Sequence, residues 1–243
     1  MLRSPHFLEV DEGLQAKDRE LAKTVNSSLE RLDHLRAVEI NVAGPFLRSK
    51  ISWKLATYQH ALLHRVVALM DGVAVAWNSR STLTTILAAR AFMETLALMA
   101  ELTSKTEAFL ASKDLKGLND LAQRGVFASR DTELLNQTPE IKAVNVLTYI
   151  DRINKDIPGF RAHYDALSER CHPNALGHSF MFSKLDLASG TVTYMEEREI
   201  ERNRQMILAA ISVLPMVEHL MKRLDNSIIA VSDLQHRLDP IGK

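Results

Sequence analysis

Leucine, valine and alanine recur along this chain at three-, four- and seven-residue steps, with charged residues between them. That is the spacing of helices that bury one face. Leu14, Leu21, Val25, Leu32 and Leu35 set the pattern and predict a long first helix over residues 10–42. Gly44 and Pro45 end it, and Pro45 suits the first turn of the next helix, where a missing N–H costs nothing. Ile51, Leu55, Tyr58, Leu62 and Val66 carry the helical spacing on and predict a second helix over 46–77. Asn78, Ser79 and Ser81 interrupt it with side chains suited to capping. Residues 82–102 then read as a third helix, apolar nearly all round, as a buried central helix is.

Local signals punctuate the second half. Ser104-Lys105-Thr106-Glu107 fits a capping box and predicts that a short helix restarts there. Residues 114–127 predict another helix, ending near Gly125. Thr138-Pro139-Glu140 offers a cap, a proline at the first position and an acid in the first turn, predicting a helix that runs to residue 156. Pro158-Gly159 breaks the chain before a helix over 160–171. Phe180, Phe182, Leu185 and Leu187, then Thr191 to Tyr194, flank Ala188-Ser189-Gly190, which predicts a short β-hairpin or an ordered loop near 180–194. A last long helix starts near Glu196, with Pro215 expected to kink it. The sum is an all-α fold, a helical bundle of five to seven helices. Residues 1–44 form its long N-terminal helix and 45–243 the bundle, a single domain overall. The leucine face of the first helix fits either the bundle or a second copy of the chain.

Composition narrows the picture. With 243 residues, 46% of them hydrophobic, the chain buries enough surface to fold without a disulfide or metal. Cys171 is the single cysteine, so no internal disulfide forms, which fits a reducing, cytoplasmic setting. Residues 1–10 lack the basic-then-apolar layout of a signal peptide. Lys+Arg and Asp+Glu stand at 30 each, a balance without long-range pull on nucleic acid or anionic lipid. Self-association or a protein partner is therefore expected ahead of RNA, and no membrane. The best membrane-span candidate, residues 83–100, contains Arg90 and Glu94, which argues against a span.

Those two charges open the question of chemistry. Arg90 and Glu94 lie four apart and share a helix face with Leu83, Leu87 and Leu98. A charge on such a stripe must be paired. The pair is either a salt bridge that fixes register or a site where Arg90 holds an anion and Glu94 orients a histidine. Tyr164, Ser168 and His172 are spaced by four on one side of a later helix. Pro173 pushes His172 out of the helical region, so it projects from a turn as a terminal cap or as an acid/base, with His178 able to join it.

Metal and nucleophile signals are weaker. His60 and His64 have the spacing of two metal ligands, and with His172 form an alternative metal set. The zincin glutamate is missing between them. Glu169 and His172 match one Glu-x-x-His, but a di-iron bundle needs two copies. Cys171 and His172 are adjacent, hence about 100° apart on a helix and not facing each other. Neither a Gly-rich phosphate loop nor a Gly-x-Ser-x-Gly elbow is present, and no cofactor is expected.

Taken together, two segments carry a family resemblance. Arg90 to Glu94 resembles an Arg-x-x-x-Glu signature, and Tyr164 to Pro173 a Tyr-x-x-Leu-Ser-x-x-x-His-Pro signature. The combination resembles a bacterial group of helical proteins of uncharacterised function, related at fold level to HEPN domains, over about residues 50–225. The resemblance implies a bundle that holds Arg90, Glu94, Tyr164, Ser168 and His172 near one another. It also implies the roles of HEPN proteins: metal-independent RNA cleavage, toxin–antitoxin pairs, phage defence, or non-catalytic RNA and protein binding. The chain departs from the catalytic HEPN pattern, an Arg followed by a His after four to six residues. Its nearest approach is Arg170 and His178, with seven between. Three readings follow. One is a binding module at the Arg90/His172 region. The second is a phosphodiester-cleaving enzyme in which His172 is the acid/base, Glu94 orients it and Arg90 stabilises negative charge. The third is a metal-dependent hydrolase using His60, His64 and His172.

Overall fold

The structure is a computed structural model that describes residues 2–42, 44, 46 and 49–238. In chain order the helices are α1 (Ala16–Leu35), α2 (Lys50–Asn78), α3 (Thr82–Ala111), α4 (Leu115–Phe127), α5 (Thr132–Gln137), α6 (Val146–Asp156), α7 (Phe160–Cys171), α8 (Ser179–Phe182), α9 (Ile200–Ile211) and α10 (Pro215–Leu238). These are ten α-helical segments among the described residues, more than the five to seven predicted. The excess comes from short connectors and from one helix that became two. The all-α class stands, with one two-stranded hairpin, β1 (Ser183–Asp186) and β2 (Thr191–Tyr194).

The apolar third segment is the axis. Around α3 pack α2, α4, α6, α7, α9 and α10. Its Ile86, Ala89, Phe92, Met93 and Leu96 are fully buried. By length and composition both α2 and α3 are apolar enough to cross a membrane, contrary to the expectation that no stretch qualifies. In the fold, 44% and 50% of their most apolar windows are buried within the chain.

Five boundaries moved. Helix α1 is shorter than residues 10–42. Ahead of it the chain is an irregular strap with Leu8 and Leu14 buried, held where Asn26 bonds both the N–H and the carbonyl of Leu8 at 2.9 Å. The leucine face of α1 is taken by the bundle, against α2, α9 and α10. The predicted role of Pro45 lies outside the described residues, and α2 starts at Lys50 with Ser49 as its cap. The capping box at 104–107 does not interrupt α3. The hydroxyls of Thr103 and Thr106 instead donate back to Met99 and Leu102 of the same helix, and no Gly or Pro forces a stop.

The remaining two lie further on. Thr138 caps nothing with its side chain. Pro139–Ile141 make a single 3-10 turn, and Ser129 pairs with the backbone of Ile141 and Ala143, which draws the chain out of helix until Asn145 caps α6. Pro215 ends one helix and opens the next rather than kinking one, because it has no N–H to bond back to Ile211. The turn of the hairpin is set by Asp186, which accepts from Ala188 N–H at 2.9 Å, and by Gly190 at φ +65°.

Helix α4 lies within one residue of the predicted 114–127 and runs past Gly125 to Phe127, with Asp114 as its cap: the Asp114 Oδ1 accepts from Gly117 N–H at 2.8 Å. Asp114→Ala is expected to cost about 1 kcal/mol, read as a lower urea midpoint at an unchanged slope.

Candidate functional site

The centre of interest is the seam between α3 and α7. Arg90 and Glu94 leave α3 one turn apart, at the edge of its buried face. Tyr164 and Ser168 leave α7 one turn apart, opposite them. Arg90 Nε donates to Ser168 Oγ at 2.9 Å, and Arg90 Nη2 to the Tyr164 hydroxyl at 3.0 Å. The same Nη2 lies 3.1 Å from Glu94 Oε1. The Tyr164 hydroxyl in turn donates to Glu94 Oε1 at 2.8 Å. The Arg90 guanidinium also sits 5.3 Å from the centroid of the Tyr164 ring, within cation–π range.

Electrostatics agree with this wiring. Burial works against the Arg90 charge, but the Tyr164 bond and the Glu94 carboxylate outweigh it and raise its pKa. Burial raises the Tyr164 pKa; Arg90 opposes that rise and Glu94 adds to it, so the phenol keeps its proton. Cys171, at the end of α7, lies close enough to feel Arg90; burial nevertheless pushes its thiol up. A protonated thiol is a poor nucleophile. With 29% and 24% of their side chains exposed, Arg90 and Glu94 still have a window to solvent.

The fifth predicted residue stands apart. His172 is the C-cap of α7, with extended φ −81° and ψ 147°, as Pro173 requires. Its backbone N–H bonds Ser168, but its exposed ring makes no hydrogen bond or ion pair among the described residues. Glu94 therefore does not orient it. His178 caps α8, its Nδ1 accepting from Ser179 N–H at 2.6 Å. His60 and His64 both turn to the backbone of one residue, Ala37: His60 Nδ1 accepts from its N–H at 3.4 Å, and His64 Nε2 meets its carbonyl at 2.9 Å. No group of three or more His, Cys, Asp or Glu among the described residues is arranged to hold a metal ion, so His60, His64 and His172 do not form one ligand set.

A second polar network had no counterpart in the sequence reading. Arg170 is only 5% exposed. It donates through Nη2 to Glu199 at 2.7 Å and through Nε to Asn203 at 2.6 Å. Asn203 in turn donates to Glu197 at 2.9 Å, and Glu197 accepts from Thr82 at 2.6 Å. This ties the end of α7 to the starts of α9 and α3. The signal was there: Arg170 continues the buried stripe of Phe160, Tyr164 and Leu167 at helical spacing.

Beside the Arg90 network opens a cavity of about 580 Å³ between α2, α3, α4 and α6, and Glu94 is on its wall. Both bonds to this carboxylate fall on Oε1; Oε2 has no partner among the described residues. One carboxylate thus belongs to the network and to the cavity at once. Comparison with protein-family models, curated proteins and solved structures finds no match to this chain.

Proposed function

We propose that the chain is a non-catalytic binding module whose recognition site is the seam at Arg90, Glu94, Tyr164 and Ser168 together with the cavity beside it. The observation that carries this reading is the position of Glu94, whose Oε1 is fixed by Tyr164 and Arg90 while the residue itself lines the cavity. A carboxylate held by two donors on a rigid helix is pre-organised, so a ligand that meets it orders little else. Acid/base chemistry needs a titrating group within hydrogen-bond reach of its orienting partner. Here the Glu94 bonds go to Arg90 and Tyr164, and the His172 ring is unheld.

The competing readings are phosphodiester cleavage of the HEPN kind and metal-dependent hydrolysis. The full chain is incubated with single-stranded RNA, with and without zinc or manganese, beside His172→Ala and Arg90→Gln. The expected result is intact RNA in every reaction. Cleavage by the wild type that disappears in His172→Ala or Arg90→Gln would overturn the module reading.

A further inference from the structure

The cavity's lining suggests what it holds. At about 580 Å³ it has the size of sites that enclose small organic molecules. Tyr58, Leu98, Leu102, Phe109 and Leu121 make much of it apolar and aromatic. Two glycines of α4 bring the rings in close. A Cβ on Gly125 would stand 2.1 Å from the Tyr58 ring, and one on Gly117 2.7 Å from the Phe109 ring.

The charges on the wall do not balance. Glu101 is bound by Arg152 and by Lys105 at 3.3 Å, and Glu94 by Arg90 and Tyr164. Arg65 donates to Thr95 at 3.1 Å and pairs with no carboxylate among the described residues. Arg124 and Lys142 have neither an ion pair nor a side-chain hydrogen bond among the described residues. Only Asp120 on the wall is left against these three cations. The fold gathers two of them. Arg124 lies one turn before Ala128 on the side of α4 that lines the cavity, and the next residue, Ser129, bridges to Lys142. The hydroxyls of Tyr58 and Tyr149, both on the wall, make no hydrogen bond among the described residues. Burial raises the pKa of both phenols, so both remain donors.

We infer that this cavity binds a ring-containing organic anion, its apolar rings against Tyr58, Leu98 and Phe109 and its acidic group at Arg124 and Lys142. The inference rests on the binding-module reading and adds the class of ligand. Rings fill the aromatic wall, and the acid meets two cations without an ion pair and two phenol donors without a hydrogen bond among the described residues.

The test titrates the full chain with anilinonaphthalene sulfonate, a fluorescent ring-bearing anion, and with neutral N-phenylnaphthylamine. Saturable binding of the anion is expected. It should weaken about tenfold in Arg124→Gln with Lys142→Gln, and stay unchanged in Lys17→Gln with Lys222→Gln, two exposed lysines away from the cavity. The neutral probe should bind both pairs alike. Leu98→Trp, which fills the cavity, should abolish binding of both probes. Val144→Trp, on the connection that also lines the cavity, serves if Leu98→Trp lacks the helical circular-dichroism signal of the folded chain. Absence of saturable binding, equal weakening in the two charge pairs, or full binding in a folded, filled variant would each overturn the inference. RNA cleavage dependent on His172 would remove the module reading yet leave this charge preference measurable, so the two failures are distinguishable.

Discussion

Arg170→Ala is expected to destabilise the chain by about 1–3 kcal/mol, the cost of leaving a buried acceptor without its donor. The residues left behind decide the size. Glu199 is 32% exposed and can rehydrate once Arg170 is gone. Asn203 is 1% exposed and cannot, so its Oδ1 loses its donor in a place water does not reach. The guanidinium also bridges two partners on different bonds, which a lysine ammonium at the same position does not reproduce. Arg170→Lys should therefore recover only part of the loss. Urea denaturation of both variants measures this, and Asn203→Ala adds a second arm. The double variant should lose less than the sum of the singles, because the two changes remove one shared bond. A loss below about 1 kcal/mol for Arg170→Ala would mean that the network behaves as a hydrated surface pair and does not tie α7 to α9.

What the sequence made legible follows from what constrains each residue. The bounds of α7, Phe160–Cys171, were readable because breakers stand at both ends, Pro158-Gly159 before and His172-Pro173 after. At 104–107 and 138–145 the local signals lost to alternatives that only the folded chain supplies. Thr103 and Thr106 found acceptors on their own helix, and Ser129 reached across to Ile141 and Ala143. A cap is worth about 1 kcal/mol, so packing of α3 on its neighbours easily overrides it.

The site divides in the same way. Arg90 and Glu94 were legible as a pair because an apolar stripe obliges them to be satisfied. Tyr164 and Ser168 were legible as their spacing put two hydroxyls on one side of α7. His172 shares that spacing but not the helix, since Pro173 turns the backbone outward just where the stripe would continue. The cavity was not legible at all. It is assembled from α2, α3, α4, α6 and the connection at residues 142–144, and two missing side chains, at Gly117 and Gly125, shape it. A helical glycine reads in sequence as a weak point of about 1 kcal/mol relative to alanine; only the fold shows that an aromatic ring occupies the space.

The same logic at one residue gives the second large effect. Gly177→Ala is expected to cost about 3 kcal/mol, although alanine narrows the unfolded ensemble by about 0.4–1 kcal/mol in the opposite direction. Backbone conformation is not the reason for glycine here, because among the described residues positive φ in glycine is confined to Gly159 and Gly190. The reason is proximity. A Cβ on Gly177 would stand 1.9 Å from the His172 carbonyl oxygen, 2.9 Å from that of Arg170 and 3.0 Å from the His172 carbonyl carbon. All three are backbone atoms, so no side-chain rotation relieves the clash. The turn must open instead, straining the bonds that close it: Asn174 N–H to His172 at 2.8 Å and Gly177 N–H to the Asn174 carbonyl at 3.1 Å. Opening it shifts His172 and the end of α7, and with them the Arg170 bonds to Glu199 and Asn203. Amide chemical shifts should therefore change through residues 168–178 and at Asn203, and the urea midpoint should fall. The Arg170→Ala background separates direct from transmitted cost. If Gly177 acts through Arg170, its substitution costs less there than in the wild type; an equal cost in both would confine the damage to the turn.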